Sequence, residues 1–193
     1  KVLIVGLGKT GFALISLFNQ MGCEIKVTDI KPIFDLNKQV KRLKKINPNP
    51  TMTLGEHKEE DFVNADVIVY SSSVDPNMPQ LKAARDQGRE VYSDFAFAYA
   101  NCKKPIIAVC GSYGRTTIAH MIAYTLRVDK KNVFVGGTSE EPFINYLLTP
   151  NYEEMDYVVV EVSPLQLQTV PHFKPVMAIY PNLEEKAIPG RFR

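Results

Sequence analysis

The sequence predicts an α/β protein of two successive units, each built on a largely parallel sheet, and three observations carry that prediction. The chain opens with the apolar run Val2-Leu3-Ile4-Val5, the turn Gly6-Leu7-Gly8-Lys9-Thr10-Gly11 and then a helical pattern. A second strand-loop-helix unit begins at Pro105, where Ile106-Ile107-Ala108-Val109 leads into the glycine-bracketed loop Gly111-Ser112-Tyr113-Gly114. Between and beyond these, short apolar runs of strand length alternate with helical patterns, as βαβ units require.

Each element follows from its residues. Leu14, Leu17, Phe18 and Met21 lie on one face of a first helix. Ile25-Lys26-Val27-Thr28-Asp29 is the second strand, with an acid at its carboxyl end. Residues 35–46 read as a helix, broken by Asn47-Pro48-Asn49-Pro50 because a proline forces its predecessor out of the α region. A strand over Thr51–Leu54 follows, then the buried strand Ala65–Tyr70, which runs into Ser71-Ser72-Ser73. Leu81–Gln87 is a helix closed by Gly88, Glu90–Tyr92 a short strand, and Ser93–Ala100 a connecting helix. With Asn101–Lys104 as linker, the domains divide as 1–100 and 101–193. In the second, strands are expected at Val133–Val135, Tyr157–Val162 and Val176–Tyr180, with a helix from Thr116. Open parallel sheets bind ligand beyond the carboxyl ends of their strands, where Gly111, Gly137, Glu161 and Asn182 all fall.

Composition bounds the partners. A chain of 193 residues, 45% hydrophobic and 23% charged with net charge +2, is an ordinary globular protein and gives no support to a nucleic-acid partner. The densest basic run, Lys38, Lys41, Arg42, Lys44 and Lys45, reads as a solvated helix face. Three cysteines without a C-x-x-C spacing predict a reducing, cytoplasmic compartment. The three histidines, His57, His120 and His172, are dispersed and form no zinc spacing. No apolar run approaches the ~20 residues of a membrane span, and no targeting peptide is visible among these 193 residues.

The first turn is a G-x-G-x-x-G in its proper strand-turn-helix setting. It predicts a nucleotide site or, without ligand, tight strand-to-helix packing. With Asp29 on a ribose it would serve an NAD-dependent oxidoreductase, one reading of this half. The second loop departs from G-x-x-x-x-G-K-[ST], with Val109 at the first glycine and Arg115 at the lysine. It still sets glycine N–H groups before a helix N-terminus, an arrangement that holds phosphate. Thr116 and Glu161 are hard-oxygen ligands suited to magnesium, although Glu161 taken alone also reads as a solvated strand-end acid.

Gly111, Gly114, Thr116 and Thr117 fit the shorter pattern G-x-x-G-K-[ST]-T of the ATP-dependent Mur ligases and folylpolyglutamate synthases. Preceded by a G-x-G-x-T-G unit, this pattern resembles the Mur ligases, in particular their D-glutamate-adding branch. Asp29-Ile30-Lys31 stand where that family contacts uracil, and Ser71-Ser72-Ser73 where it has a Ser-Pro-Gly turn. Glu161-Val162-Ser163-Pro164-Leu165-Gln166-Leu167-Gln168 resembles its Glu-Leu-Ser-Ser-Phe-Gln-Leu-Glu segment, and Asn182-Leu183-Glu184-Glu185 its Asn-Val-Thr-Glu.

The resemblance implies a Rossmann-like N-terminal domain followed by an incomplete P-loop ATPase-like α/β domain. The first would hold the uridine diphosphate of a UDP-N-acetylmuramoyl substrate through Gly8, Lys9, Thr10, Asp29, Ile30, Lys31, Ser71, Ser72 and Ser73, with Thr138 also on the substrate side. ATP phosphates would lie on Gly111, Ser112, Gly114, Arg115, Thr116 and Thr117, and magnesium on Thr116 and Glu161. Arg115 and Glu161 would be the catalytic residues of an ATP-dependent ligase that activates a carboxylate as an acyl phosphate and lets D-glutamate attack it. Such phosphoryl chemistry is mostly positioning plus cations.

Three positions depart from the family pattern, all toward the reacting end. Arg115 places a planar fork where the family has a compact ammonium. The family's asparagine after the double glycine is Thr138, and its histidine falls on Ala187, with no histidine after His172. These departures favour an alternative, a catalytically degenerate relative that still binds a UDP-sugar peptide. The resemblance also implies that the central domain continues past residue 193 and that a third domain follows, so this chain alone is expected to be inactive.

Overall fold

The computed structural model describes residues 1–47 and 50–182. The chain forms two compact units, Lys1–Phe97 and Ala98–Arg193.

In the first unit the order is β1 (Val2–Val5), α1 (Lys9–Gln20), β2 (Ile25–Asp29), α2 (Asn37–Ile46), β3 (Thr51–Leu54), α3 (Glu59–Val63), β4 (Val67–Tyr70), α4 (Pro79–Asp86) and β5 (Glu90–Ser93), with α5 (Asp94–Asn101) starting at its end. Among the described residues the five strands make one parallel sheet in the order β3-β2-β1-β4-β5. The chain winds outward from β1 in one direction and resumes beside β1 with β4, so a crevice opens beyond β1. Register aligns Val5 with Thr28 and with Tyr70, which brings Gly6, Asp29 and Ser71 to the same edge. Leu3, Val5, Ile68 and Tyr70 pack on Phe62, Leu81 and Ala84 to form the core of one face.

The sequence predicts no element between β3 and β4, where the structure has the helix α3. Its five residues bury only Asp61 and Phe62, too few for a 3.6-residue period to register. It is held from outside: the buried Asp61 carboxylate pairs with Lys26 and accepts from Thr53 Oγ1 at 2.7 Å.

The second unit contains β6 (Ile106–Val109), α6 (Arg115–Val128), β7 (Val133–Gly136), two 3₁₀ turns (Phe143–Leu148 and Tyr152–Glu154), β8 (Tyr157–Glu161), α7 (Pro164–Gln168) and β9 (Met177–Ile179). Its strands are also parallel, in the order β7-β8-β6-β9. β8 is buried on both faces, Val158, Val159 and Val160 being fully enclosed, which places Glu161 at the end of an apolar rail. The short α7 and the 3₁₀ turns are also missing from the sequence reading. The start of α7 is fixed by a capping box: Ser163 N–H donates to Gln166 Oε1 at 2.8 Å, and Gln166 N–H donates to Ser163 Oγ at 3.3 Å.

Candidate functional site

In the first unit the carboxyl ends of the strands surround a cleft of about 420 Å³, lined among others by Gly8, Asp29, Ile30, Lys31, His57, Ser71 and Ser73. Its floor is the glycine turn. Gly6 sits at φ +103°, and a Cβ on Gly11 would lie 2.1 Å from the Gly6 carbonyl oxygen, so α1 rests directly on the turn. Gly8 differs: its backbone is ordinary and a Cβ there would meet nothing within 4 Å. Asp29 clamps the turn to β2, its Oδ2 accepting from Leu7 N–H at 2.7 Å and its Oδ1 from Lys31 N–H at 2.9 Å.

The anticipated substrate residues are not all brought together. Ser71 and Ser73 stand at the cleft with their hydroxyls 3.1 Å apart. Ser72 turns away and donates to the buried carboxylate of Asp94, which also accepts from Phe95 N–H at 2.8 Å. Lys9 and Thr10 form the first turn of α1 and lie outside this cleft; Lys9 lines a neighbouring pocket with Lys38 and Arg42. The Arg42 guanidinium lies 4.4 Å over the Phe12 ring, so the basic face of α2 is partly stacked rather than wholly solvated. Thr138, on the second unit, closes its own turn: its Oγ1 accepts from Glu141 N–H at 2.8 Å and its N–H donates to Glu141 O at 3.1 Å. His57 and Asp75 line the cleft without being legible as site residues in the sequence, since an isolated histidine after an edge strand and an acid in a turn give no spacing signal.

In the second unit the loop between β6 and α6 has two halves. Its first half is satisfied by the protein itself. Asn182 Oδ1 accepts from the N–H groups of Ser112 and Tyr113, each at 3.0 Å, and its Nδ2 donates to Tyr113 O at 3.0 Å. Gly111, at φ +117°, is required by this closure, because a Cβ would lie 2.8 Å from Asn182 O. The second half opens α6. Gly114, at φ +77°, provides no side-chain cap, so Arg115, Thr116 and Thr117 begin the helix with N–H groups that have no intrahelical acceptor. Such a terminus attracts an anion.

Beside it, Thr116 Oγ1 donates to Glu161 Oε2 at 3.1 Å. Arg115 folds back over the loop, donating from Nη1 to Gly111 O at 3.0 Å with Nε 3.8 Å from Glu161 Oε2. Glu161 is only 6% exposed, and the close approach of Gly137 fixes its backbone, since a Cβ on Gly137 would lie 2.2 Å from Glu161 O. A hydroxyl and a carboxylate side by side are a fitting donor pair for magnesium, which retains several waters and needs few protein ligands. Among the described residues no group of three or more His, Cys, Asp or Glu forms a denser metal site. Ala187 and the segment Leu183–Glu185 lie outside the described residues.

Fold and rims together define a two-unit α/β protein, a glycine-turn unit in front of a unit whose glycine loop opens a helix. Residues 1–93 match the model of the Mur ligase MurD-like N-terminal domain. The chain is 31% identical over 193 residues to the UDP-N-acetylmuramoylalanine–D-glutamate ligase of Bdellovibrio bacteriovorus, covering 100% of this chain and 41% of that protein. It is 33% identical over 185 residues to the enzyme of the same name from Desulfatibacillum aliphaticivorans, covering 96% and 40%. Among solved structures, a UDP-N-acetylmuramate:L-alanyl-gamma-D-glutamyl-meso-diaminopimelate ligase from Neisseria meningitides superposes with a TM-score of 0.59 at 19% identity, over 95% of this chain and 60% of that one, a likeness of fold. Residues 1–93 are thus a MurD-like N-terminal domain, Rossmann-like in fold, and the chain is similar to Mur ligases over its whole length. It spans about two-fifths of the length of the curated relatives it matches.

Among the described residues no helix is long and apolar enough to cross a membrane. The three cysteines are free.

Proposed function

We propose that this chain is the front part of an ATP-dependent ligase of peptidoglycan precursor synthesis that adds D-glutamate to UDP-N-acetylmuramoyl-L-alanine in the cytoplasm. In this reading residues 1–100 bind the uridine diphosphate end of the substrate and residues 101–193 begin the ATP-binding domain. The observation that carries it is the pairing of Thr116 with Glu161 at 3.1 Å beside an uncapped helix N-terminus, in a chain whose first domain is of the MurD-like family.

The residues divide the work. Asp29, Lys31, Ser71 and Ser73 present polar groups to a cleft of nucleoside size. The N–H groups of Arg115, Thr116 and Thr117 receive phosphate oxygens, and Thr116 Oγ1 and Glu161 hold magnesium. ATP with magnesium, when bound, supplies the phosphoryl transfer that activates the substrate carboxylate. Asn182 keeps the first half of the loop closed, so the helix end alone faces the nucleotide.

A second reading is favoured by one contact: Arg115 occupies Glu161 and the Gly111 carbonyl, where the family has a lysine. A relative that binds a UDP-sugar peptide without turning it over fits that arrangement. Phosphate release from ATP by the full-length protein separates the two. Release that depends on both UDP-N-acetylmuramoyl-L-alanine and D-glutamate, and is lost in Glu161→Gln, supports the ligase. Substrate binding with no release supports the degenerate relative.

A further inference from the structure

His57 lines the first-unit cleft together with Asp29, Lys31 and Ser71. Its protonation can be worked out from its neighbours. His57 Nδ1 lies 2.9 Å from Thr28 Oγ1, and Thr28 Oγ1 lies 3.2 Å from the Glu56 carbonyl oxygen. A hydroxyl has one proton, and a carbonyl can only accept. The Thr28 proton therefore goes to Glu56, and the Thr28 oxygen is left to accept from Nδ1–H. A neutral imidazole with its proton on Nδ1 carries a lone pair on Nε2.

The ring is also held in place. It meets Phe62 edge-on at 6.0 Å between centroids, and the His57 carbonyl accepts from Gln80 Nε2 at 3.1 Å. Burial favours the neutral form and outweighs the opposing pull of the Asp29 carboxylate. The cleft thus gains a fixed, uncharged acceptor, distinct in kind from the anionic Asp29 and the cationic Lys31.

We propose that His57 Nε2 is the acceptor that reads the bound nucleobase, taking the imide N–H of a uracil ring and disfavouring cytosine, whose ring nitrogen at that position is itself an acceptor. The inference rests on the reading of this cleft as the uridine diphosphate site. A site built to receive a donor leaves a buried lone pair facing another when the donor is missing, and rejects the analogue accordingly.

The test is calorimetric titration of UDP and CDP into the wild-type chain and two variants. His57→Asn retains an amide donor for Thr28 and removes the group at the Nε2 position. His57→Gln reaches that position with an amide oxygen. The wild type is expected to prefer UDP by at least about tenfold. His57→Asn should lose that preference, through weaker UDP binding together with a CDP affinity equal to or higher than that of the wild type, and His57→Gln should regain part of it. Equal binding of UDP and CDP by the wild type, or a preference that survives in His57→Asn, overturns the role of His57 and leaves the uridine site standing. Failure of the wild type to bind either nucleotide overturns both.

Discussion

The Arg115 Nε stands 3.8 Å from Glu161 Oε2, the same oxygen that accepts from Thr116, while the other arm of the guanidinium bonds to Gly111 O. A planar fork bridges a carbonyl and a carboxylate in this way with its donors fixed relative to one another, whereas an ammonium is a compact charge on a flexible stem. In the proposed site this contact sets a cation of the protein against the oxygen assigned to magnesium.

Replacing the fork therefore has a predicted direction. Arg115→Lys should free Glu161 and tighten magnesium-dependent ATP binding by about threefold to tenfold, with the melting temperature of the free chain little changed. Side-by-side calorimetric titration of ATP checks it. Weaker binding in the variant would mean that the loop works with arginine, and an unchanged affinity that Arg115 does not reach the nucleotide.

Two glycines of the first turn should respond in opposite ways. At Gly11 an added Cβ would meet backbone 2.1 Å away, so Gly11→Ala should displace α1 and cost about 1–3 kcal/mol or more in denaturant unfolding. At Gly8 the space is open and the backbone extended. Gly8→Ala should fold within about 1 kcal/mol of the wild type and yet bind UDP more weakly, because the added methyl occupies room assigned to ligand. Equal UDP affinity in Gly8→Ala would remove Gly8 from the site.

How far the sequence was legible follows from which signals are local. β1, α1 and β8 announce themselves through runs and periods longer than any alternative, and Glu161 is legible because the valines of β8 end on it. The helices α3 and α7 are each about one turn long, below the length at which periodicity separates helix from loop. Ser72 looks identical to Ser71 and Ser73 in sequence, and only the turn geometry sends it to Asp94. Asn182 shapes a loop some seventy residues earlier, a pairing that no local pattern carries. His57 needed Thr28 and Glu56 beside it before its chemistry could be read.

Asp94 gives the first unit a pH dependence. Burial pushes its carboxyl above the ordinary 3.8, against the bonds from Ser72 and Phe95 that act the other way. The folded chain therefore holds this proton more tightly than the unfolded chain. From the ordinary carboxylate value up to the raised one, the native state binds more protons, and stability falls as pH rises. Asp94→Asn cannot ionise and keeps an oxygen for the Ser72 hydroxyl and the Phe95 N–H, while its amide gives up acceptance from the backbone N–H groups of Ser72 and Asp94. It should be more stable than the wild type at neutral pH by about 1 kcal/mol, with the difference shrinking as pH drops toward 3.8. Denaturant midpoints measured across that range check the sign.

In the proposed function the glycine turn and Asp29 serve a uridine nucleotide rather than a nicotinamide one. Calorimetric titration of the 193-residue chain with UDP-N-acetylmuramoyl-L-alanine and, separately, with NAD tests it most directly. Saturable binding of the uridine substrate, weakened by Gly8→Ala, is expected, with no heat of binding from NAD. Binding of NAD with none of the uridine compound would contradict it.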